Sequence, residues 1–166
     1  MAERRTPPPI RALVPVVFAI FSAVSLIIIV FLGLPWILPI DLFWSVVIGI
    51  MFLGLGFPIM ALTLRSLTFH RAFGDELYMT KEESQLVTTG PYAYTRNPLY
   101  FSGTILLIGW TILLRLTFLL ILTMLFLVMF GFAIKWEENE LAERFGEEYL
   151  LYKEIVPLFF PRLRRE

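Results

Sequence analysis

A polar segment from Gly90 to Tyr100 leads directly into a long apolar stretch and carries the side chains best suited to chemistry. Within it, Arg96 is a permanent cation whose planar guanidinium suits a carboxylate or a phosphate. Pro91 and Pro98 restrict the backbone on either side of this arginine. Because arginine is costly near hydrocarbon, we expect Arg96 either to serve a ligand or to anchor the chain at a membrane surface.

The residues around Arg96 could hold a polar ligand. Thr88 and Thr89 supply hydroxyls, Gly90-Pro91 favours a turn, and the irregular backbone offers N–H and C=O groups. Three tyrosines add aromatic faces and further hydroxyls; they are Tyr92, Tyr94 and Tyr100. The alternative interpretation is an interfacial belt, with tyrosines at headgroup depth and an arginine that reaches lipid phosphate.

Two adjacent carboxylates, Glu137 and Glu138, follow the last long apolar stretch. Beside a membrane they could hold a cationic ligand or accept a proton. They could equally be the solvated first turn of a helix, where acidic residues are favourable.

Residues 137–154 are predicted to form an amphipathic helix. Its aromatic and apolar stripe has helical spacing and comprises Leu141, Phe145, Tyr149 and Tyr152. Gly146 within it costs about 1 kcal/mol relative to alanine, which indicates either a close backbone approach or a break between two shorter helices. Pro157 ends the helix.

Long apolar blocks must position these groups. The chain has 166 residues, of which 58% are hydrophobic, and its mean hydropathy is +0.77, so we expect an integral membrane protein. Residues 1–11 form a basic tail, and the domain is otherwise single. We predict an all-α fold with about four transmembrane helices and a cytoplasmic C-terminal amphipathic helix. The predicted spans are residues 13–32, 42–64, 99–114 and 117–134, of which the last two form a tight hairpin around Arg115.

The distribution of charge predicts the orientation of this protein. Formal net charge is zero, which gives no reason to expect a nucleic-acid partner. With four spans, all of the 14 Lys and Arg residues except Arg115 lie on the side of the two termini. The positive-inside rule therefore places both termini and both polar segments in the cytoplasm.

Residue types also exclude some chemistry. The absence of cysteine excludes disulfides, thiolate metal sites and a cysteine nucleophile. His70 is the single histidine, so a histidine-based metal cluster is not expected either.

Taken together, these segments resemble the isoprenylcysteine carboxyl methyltransferase and phospholipid methyltransferase superfamily of integral membrane enzymes. The resemblance covers residues 80–161, about half of the chain, whereas the two spans within residues 12–64 carry no comparable signature. The matching motifs are Gly90-Pro91-Tyr92, Arg96-Asn97-Pro98, Tyr100, Glu137-Glu138, Phe145-Gly146, Tyr149, Tyr152 and Val156-Pro157.

This resemblance implies S-adenosylmethionine as the methyl donor and a lipophilic or lipid acceptor. Arg96 and Glu137 are the implied catalytic residues. The implied cofactor-binding residues are Gln85, Val87, Gly90, Pro91, Tyr92, Asn97, Pro98, Tyr100 and Glu138. Methyl transfer from a sulfonium needs alignment and desolvation more than acid–base groups, which these residue types could supply.

One departure from the family bears on the acceptor. Carboxyl methyltransferases of prenylated proteins resemble Arg-His-Pro where this chain has Arg-Asn-Pro. Asn97 can donate and accept hydrogen bonds but cannot titrate near neutral pH. The acceptor therefore stays open between an isoprenylcysteine-like carboxylate, a phospholipid amine, a thiol and a small isoprenoid.

Two other functions are consistent with the sequence. Sterol-reductase-like membrane enzymes, which use NADPH, carry a similar segment before a terminal hairpin, although they are much longer. A non-catalytic membrane protein could also keep the same scaffold. Cofactor binding separates the three hypotheses.

Overall fold

The computed structural model describes residues 13–32, 37–67 and 86–161. Within these ranges the protein is helical, and its β-structure is limited to one isolated bridge, in agreement with the predicted all-α fold. The five helices are α1 (Val14–Leu32), α2 (Leu42–Ser66), α3 (Pro98–Leu114), α4 (Thr117–Phe145) and α5 (Glu147–Ile155). Predicted residues 1–11 and Gln85 lie outside the described part of the chain.

Three of these helices, α1, α2 and α4, are long and apolar enough to cross a membrane. Many of their apolar side chains point outward, as Phe31 (79% exposed) and Phe132 (73% exposed) show, which suits contact with lipid. The third predicted span corresponds to α3, an apolar helix of only 17 residues. The count of four spans therefore stays a prediction.

The core forms where α2 packs along α3, the pair of helices with the most extensive contact. Their backbones approach closely at Gly49 and Gly109: a Cβ atom added to Gly49 would lie 3.1 Å from the Gly109 carbonyl oxygen and 2.7 Å from Leu113 Cβ. Small residues permit this approach. Val14 of α1 and Phe130 of α4 pack against α3 at Gly103.

The chain before α2 and the connection between α3 and α4 meet at one end of the bundle, the end opposite the polar segments. Leu38 N donates a hydrogen bond to Arg115 O at 2.6 Å, and Ile37 pairs with Leu116 in an isolated antiparallel bridge. Arg115 has a left-handed backbone (φ 59°), and only two residues separate α3 from α4. The predicted tight hairpin at this position is confirmed.

The predicted helix over residues 137–154 is wrong in its extent, whereas the break between two helices at Gly146, one of the two interpretations of that glycine, is confirmed. Residues 137–154 do not form one separate helix, because α4 continues without a break through Glu137 to Phe145. At Gly146 the backbone turns with a φ of 56°, which glycine adopts without steric cost, and α5 begins at Glu147. With 29 residues, α4 is roughly 44 Å long and exceeds the hydrocarbon thickness, so its last turns project to the surface.

Candidate active site

The segment that precedes α3 folds into a short 3-10 helix, Gly90–Ala93. Gly90 has a φ of 63°, and a Cβ atom there would lie 2.7 Å from Ser66 Oγ at the end of α2. Pro98 opens α3 at a position where proline loses no helical hydrogen bond. The sequence thus fixes both ends of the turn that carries Arg96.

Arg96 connects the entrance of α3 to the C-terminal elements. Its Nε donates to Glu138 Oε1 at 2.8 Å, and its Nη1 donates to the carbonyl oxygens of Lys153 (2.8 Å) and Val156 (3.1 Å). The Arg96 side chain is only 7% exposed. Two of its nitrogens are therefore committed to the protein itself.

Glu138 also interacts with two side chains of α5. Tyr149 OH donates to its Oε1 at 3.0 Å, and Lys153 Nζ lies 3.3 Å from its Oε2. Burial, followed by the negative charge of Glu138 and this hydrogen bond, raises the pKa of the Tyr149 phenol. The phenol consequently stays a donor over the whole physiological pH range.

Glu137 points in another direction. It is 5% exposed, and Tyr100 OH of α3 donates to its Oε1 at 3.2 Å. Neighbouring residues of an α-helix project about 100° apart, so the two adjacent carboxylates serve different partners. The structure joins Arg96 to Glu138, and the catalytic roles that the resemblance implies for Arg96 and Glu137 stay a prediction.

The remaining polar groups of the segment form hydrogen bonds with α5 and with the chain beyond it. Asn97 Nδ2 donates to Leu158 O at 3.0 Å, and Thr95 Oγ1 donates to the same oxygen at 3.3 Å. Tyr152 OH donates to Tyr92 O at 2.7 Å. These bonds stabilise the irregular backbone between the 3-10 helix and α3.

An apolar cleft of about 600 Å³ lies between the C-terminal end of α2 and this segment. Its lining combines apolar side chains with Arg65 and Ser66 at the end of α2. The lining residues are Ile59, Leu62, Arg65, Ser66, Gly90, Pro91, Tyr94, Thr95, Pro98, Phe101 and Pro161. A cleft of this size can enclose a small ligand or part of a lipid chain.

The cleft includes some of the predicted site residues and not others. Gly90, Pro91 and Pro98 line it. Val87 and Tyr92 pack against Leu67 immediately after the end of α2. Five predicted site residues form a polar network with one another and with the C-terminal elements; they are Arg96, Asn97, Tyr100, Glu137 and Glu138. None of these five is among the described residues that line the cleft.

Sequence reasoning missed the contribution of α2. Ile59 and Leu62 belong to the predicted span 42–64, and no role in the site was predicted for them or for Arg65 and Ser66, although all four line the cleft. A usable signal was present in Arg65, since a cation at the end of an apolar helix marks either an anchor or a site.

This arrangement defines a helical membrane protein in which a hydrogen-bonded polar network adjoins an apolar cleft. A family model described as Phospholipid methyltransferase matches residues 44–148, more than half of the chain, so the protein belongs to this family. The superfamily resemblance in the sequence is thereby confirmed. No significant match was found among curated proteins or among solved structures.

Proposed function

We propose that this protein transfers a methyl group from S-adenosylmethionine to a lipophilic acceptor, either an isoprenylcysteine-like carboxylate or a phospholipid amine. Membership of a methyltransferase family supports the reaction class. The observation that carries the proposal is the apolar cleft beside the polar segment from Gly90 to Tyr100, because a lipid chain in this cleft would lie next to the polar groups of that segment.

The cleft is suited to the apolar part of the acceptor. Ile59 and Leu62 of α2 and Phe101 of α3 provide hydrocarbon walls, and α2 is a candidate membrane span. Arg65 lies at the end of the cleft where α2 finishes, and its cation suits an anionic headgroup. A lipid could thus enter from the bilayer with its polar end directed toward the segment that bears Arg96.

S-adenosylmethionine, when bound, supplies an electrophilic methyl group on a cationic sulfonium. The chain must align that group with the nucleophile and exclude water. Glu137, buried and bonded to Tyr100, provides a negative charge that favours a cation nearby. Arg96 positions Glu138 and the chain after α5. We assign the cofactor contacts to Gln85, Val87, Gly90, Pro91, Tyr92, Asn97, Pro98, Tyr100 and Glu138.

We further propose that α3 crosses the membrane and that the site faces the cytoplasm. Support comes from the basic residues, all of which except Arg115 would then lie on the cytoplasmic side. Single cysteines in place of exposed Ile37 and exposed Glu143 should label from opposite faces, and the natural chain has no cysteine to give background. Labelling of both positions from one face would exclude this topology.

The cofactor assignment is tested by titration calorimetry of the purified protein in detergent. We expect binding of S-adenosylhomocysteine and no measurable binding of NADPH. The reverse preference would replace the methyltransferase proposal by the reductase hypothesis, and binding of neither would favour a non-catalytic protein.

A further inference from the structure

Arg144, in the last turn of α4, has a guanidinium that the protein does not satisfy. Its Nε and Nη2 atoms are buried, and neither has a hydrogen-bond partner in the part of the chain that the structure describes. Its Cζ lies 5.8 Å from the centroid of the Phe145 ring. Arg96, by contrast, uses its Nε and Nη1 in three hydrogen bonds.

The identity of these two nitrogens is informative. The N–H bonds of Nε and Nη2 run parallel along one edge of the guanidinium, which is the edge that binds the two oxygens of a carboxylate or phosphate. A buried donor on a charged group is costly when it has no acceptor. Arg115, the other arginine with such an atom among the described residues, leaves only its Nε without a partner.

The position of Arg144 relates it to Glu137. Both residues belong to the uninterrupted helix α4, seven positions apart. Seven residues of an α-helix return to within about 20° of the same face and advance roughly 10.5 Å. Long side chains in helices generally lean toward the N-terminus, which for Arg144 is the direction of Glu137. A ligand with a cationic and an anionic group could contact both.

We propose that the Nε–Nη2 edge of Arg144 binds an oxyanion of a ligand at this site. The inference rests on the proposed function. Two sources of this chemistry are compatible with the geometry: the carboxylate of the amino-acid part of the cofactor, and the phosphate of a lipid headgroup. The anion-binding role that the sequence suggested for Arg96 thereby passes to Arg144.

The first arm of the test measures cofactor binding by calorimetry in detergent. Arg144→Gln should weaken binding of S-adenosylhomocysteine by about tenfold or more, because a bidentate charged pair is lost. Arg144→Lys should lose less, since it keeps the charge without the fork. Lys135→Gln, which removes an exposed cation from the same helix, should change little. The decarboxylated analogue of S-adenosylhomocysteine should bind equally to natural protein and Arg144→Gln.

The second arm uses short-chain phosphatidic acid as the probe. If Arg144→Gln weakens binding of this lipid while S-adenosylhomocysteine binding is unchanged, the oxyanion is a headgroup phosphate. If neither ligand responds, the inference is overturned. A natural protein that binds no S-adenosylhomocysteine would contradict the proposed function alone, because the lipid arm still tests Arg144. Should Arg144→Gln fail to fold, the same comparison is made with Arg144→Lys, which should weaken binding of S-adenosylhomocysteine and leave binding of the decarboxylated analogue unchanged.

Discussion

Arg96 and Glu138 are 42 residues apart in the chain, yet Arg96 Nε lies 2.8 Å from Glu138 Oε1. This ion pair, whose side chains are 7% and 12% exposed, joins the entrance of α3 to the surface end of α4. The remaining contacts of the Arg96 guanidinium fix the chain at the end of α5. A single side chain thus holds together the entrance of α3, the end of α4 and the end of α5.

Substitution of Arg96 should therefore affect stability as well as turnover. Arg96→Ala removes the guanidinium donor to two carbonyl oxygens and to the mostly buried Glu138, which keeps its contacts with Tyr149 and Lys153, at a cost on the order of 3 kcal/mol. We expect a clear fall in the thermal melting temperature in detergent, together with loss of methyl transfer. Arg96→Lys should recover part of both, because it can reach Glu138 but cannot form the fork.

The matched control for this substitution is Lys153→Ala. Lys153 contacts the same carboxylate, but its side chain is 46% exposed, so its removal should change the melting temperature little. An Arg96→Ala protein as stable as the natural one would mean that these contacts do not hold the site together.

Glu137 should distinguish the charged cofactor from its uncharged-sulfur product. Glu137→Gln keeps an acceptor for Tyr100 and removes the carboxyl group to which we assign the negative charge near the sulfonium. We expect the affinity for S-adenosylmethionine to fall about tenfold, equivalent to about 1.4 kcal/mol, and that for S-adenosylhomocysteine to fall much less. Titration calorimetry of both ligands measures the ratio. Equal losses would show that Glu137 serves packing with Tyr100 and not the sulfonium.

The cleft should control the acceptor and not the cofactor. Leu62→Trp places a larger side chain in the cleft wall and should reduce methylation of a lipid acceptor at least tenfold, by obstruction of the apolar chain. Leu55→Trp is the matched control, since Leu55 is similarly exposed and lies seven residues earlier on α2, outside the cleft lining. Both variants should bind S-adenosylhomocysteine normally. Equal activity of the two variants would exclude the cleft as the acceptor site.

Tyr149 predicts a dependence of stability on alkaline pH. Its pKa in the folded protein is raised above the ordinary value of 10.0 by burial and by Glu138. Below about pH 10 the phenol is protonated in both the folded and unfolded states, so its contribution to stability is fully present. At higher pH the unfolded state loses the proton first, and the free energy of unfolding falls.

Tyr149→Phe removes this titration and one hydrogen bond to Glu138. Near neutral pH the variant should therefore be less stable than the natural protein, by about 1 kcal/mol. Above pH 10 the difference between the two melting temperatures should shrink. A difference that is constant over this range would contradict the raised pKa.

The helices were largely predictable because each depends on a local stretch of sequence. The predicted spans 13–32 and 42–64 agree within two residues with α1 and α2. Arg115 correctly indicated the hairpin, because it interrupts two apolar stretches so briefly that only a tight turn can connect them. Where the last span ended was not predictable from hydropathy, because α4 continues as an ordinary polar helix beyond the apolar residues.

The candidate site was less predictable because it depends on how α4 is rotated about its own axis. Whether Glu137 or Glu138 meets Arg96 is decided by the rotation of α4 relative to α3, which no local pattern encodes. Likewise, the cleft exists because the end of α2 packs beside Gly90, a contact between distant parts of the chain. Gly90, Pro91 and Pro98 could be recognised in the sequence because their conformational restrictions are local, whereas their contact with a cofactor stays a prediction.

Methyl transfer to a lipid can be measured by incubation of the purified protein with methyl-labelled S-adenosylmethionine and a total lipid extract. We predict that label appears in a lipid fraction, that Glu137→Gln lowers its rate of appearance, and that mass spectrometry identifies a methyl ester or a methylated amine. The absence of labelled lipid, in a preparation that is folded and binds S-adenosylhomocysteine, would contradict the assignment of a lipophilic acceptor.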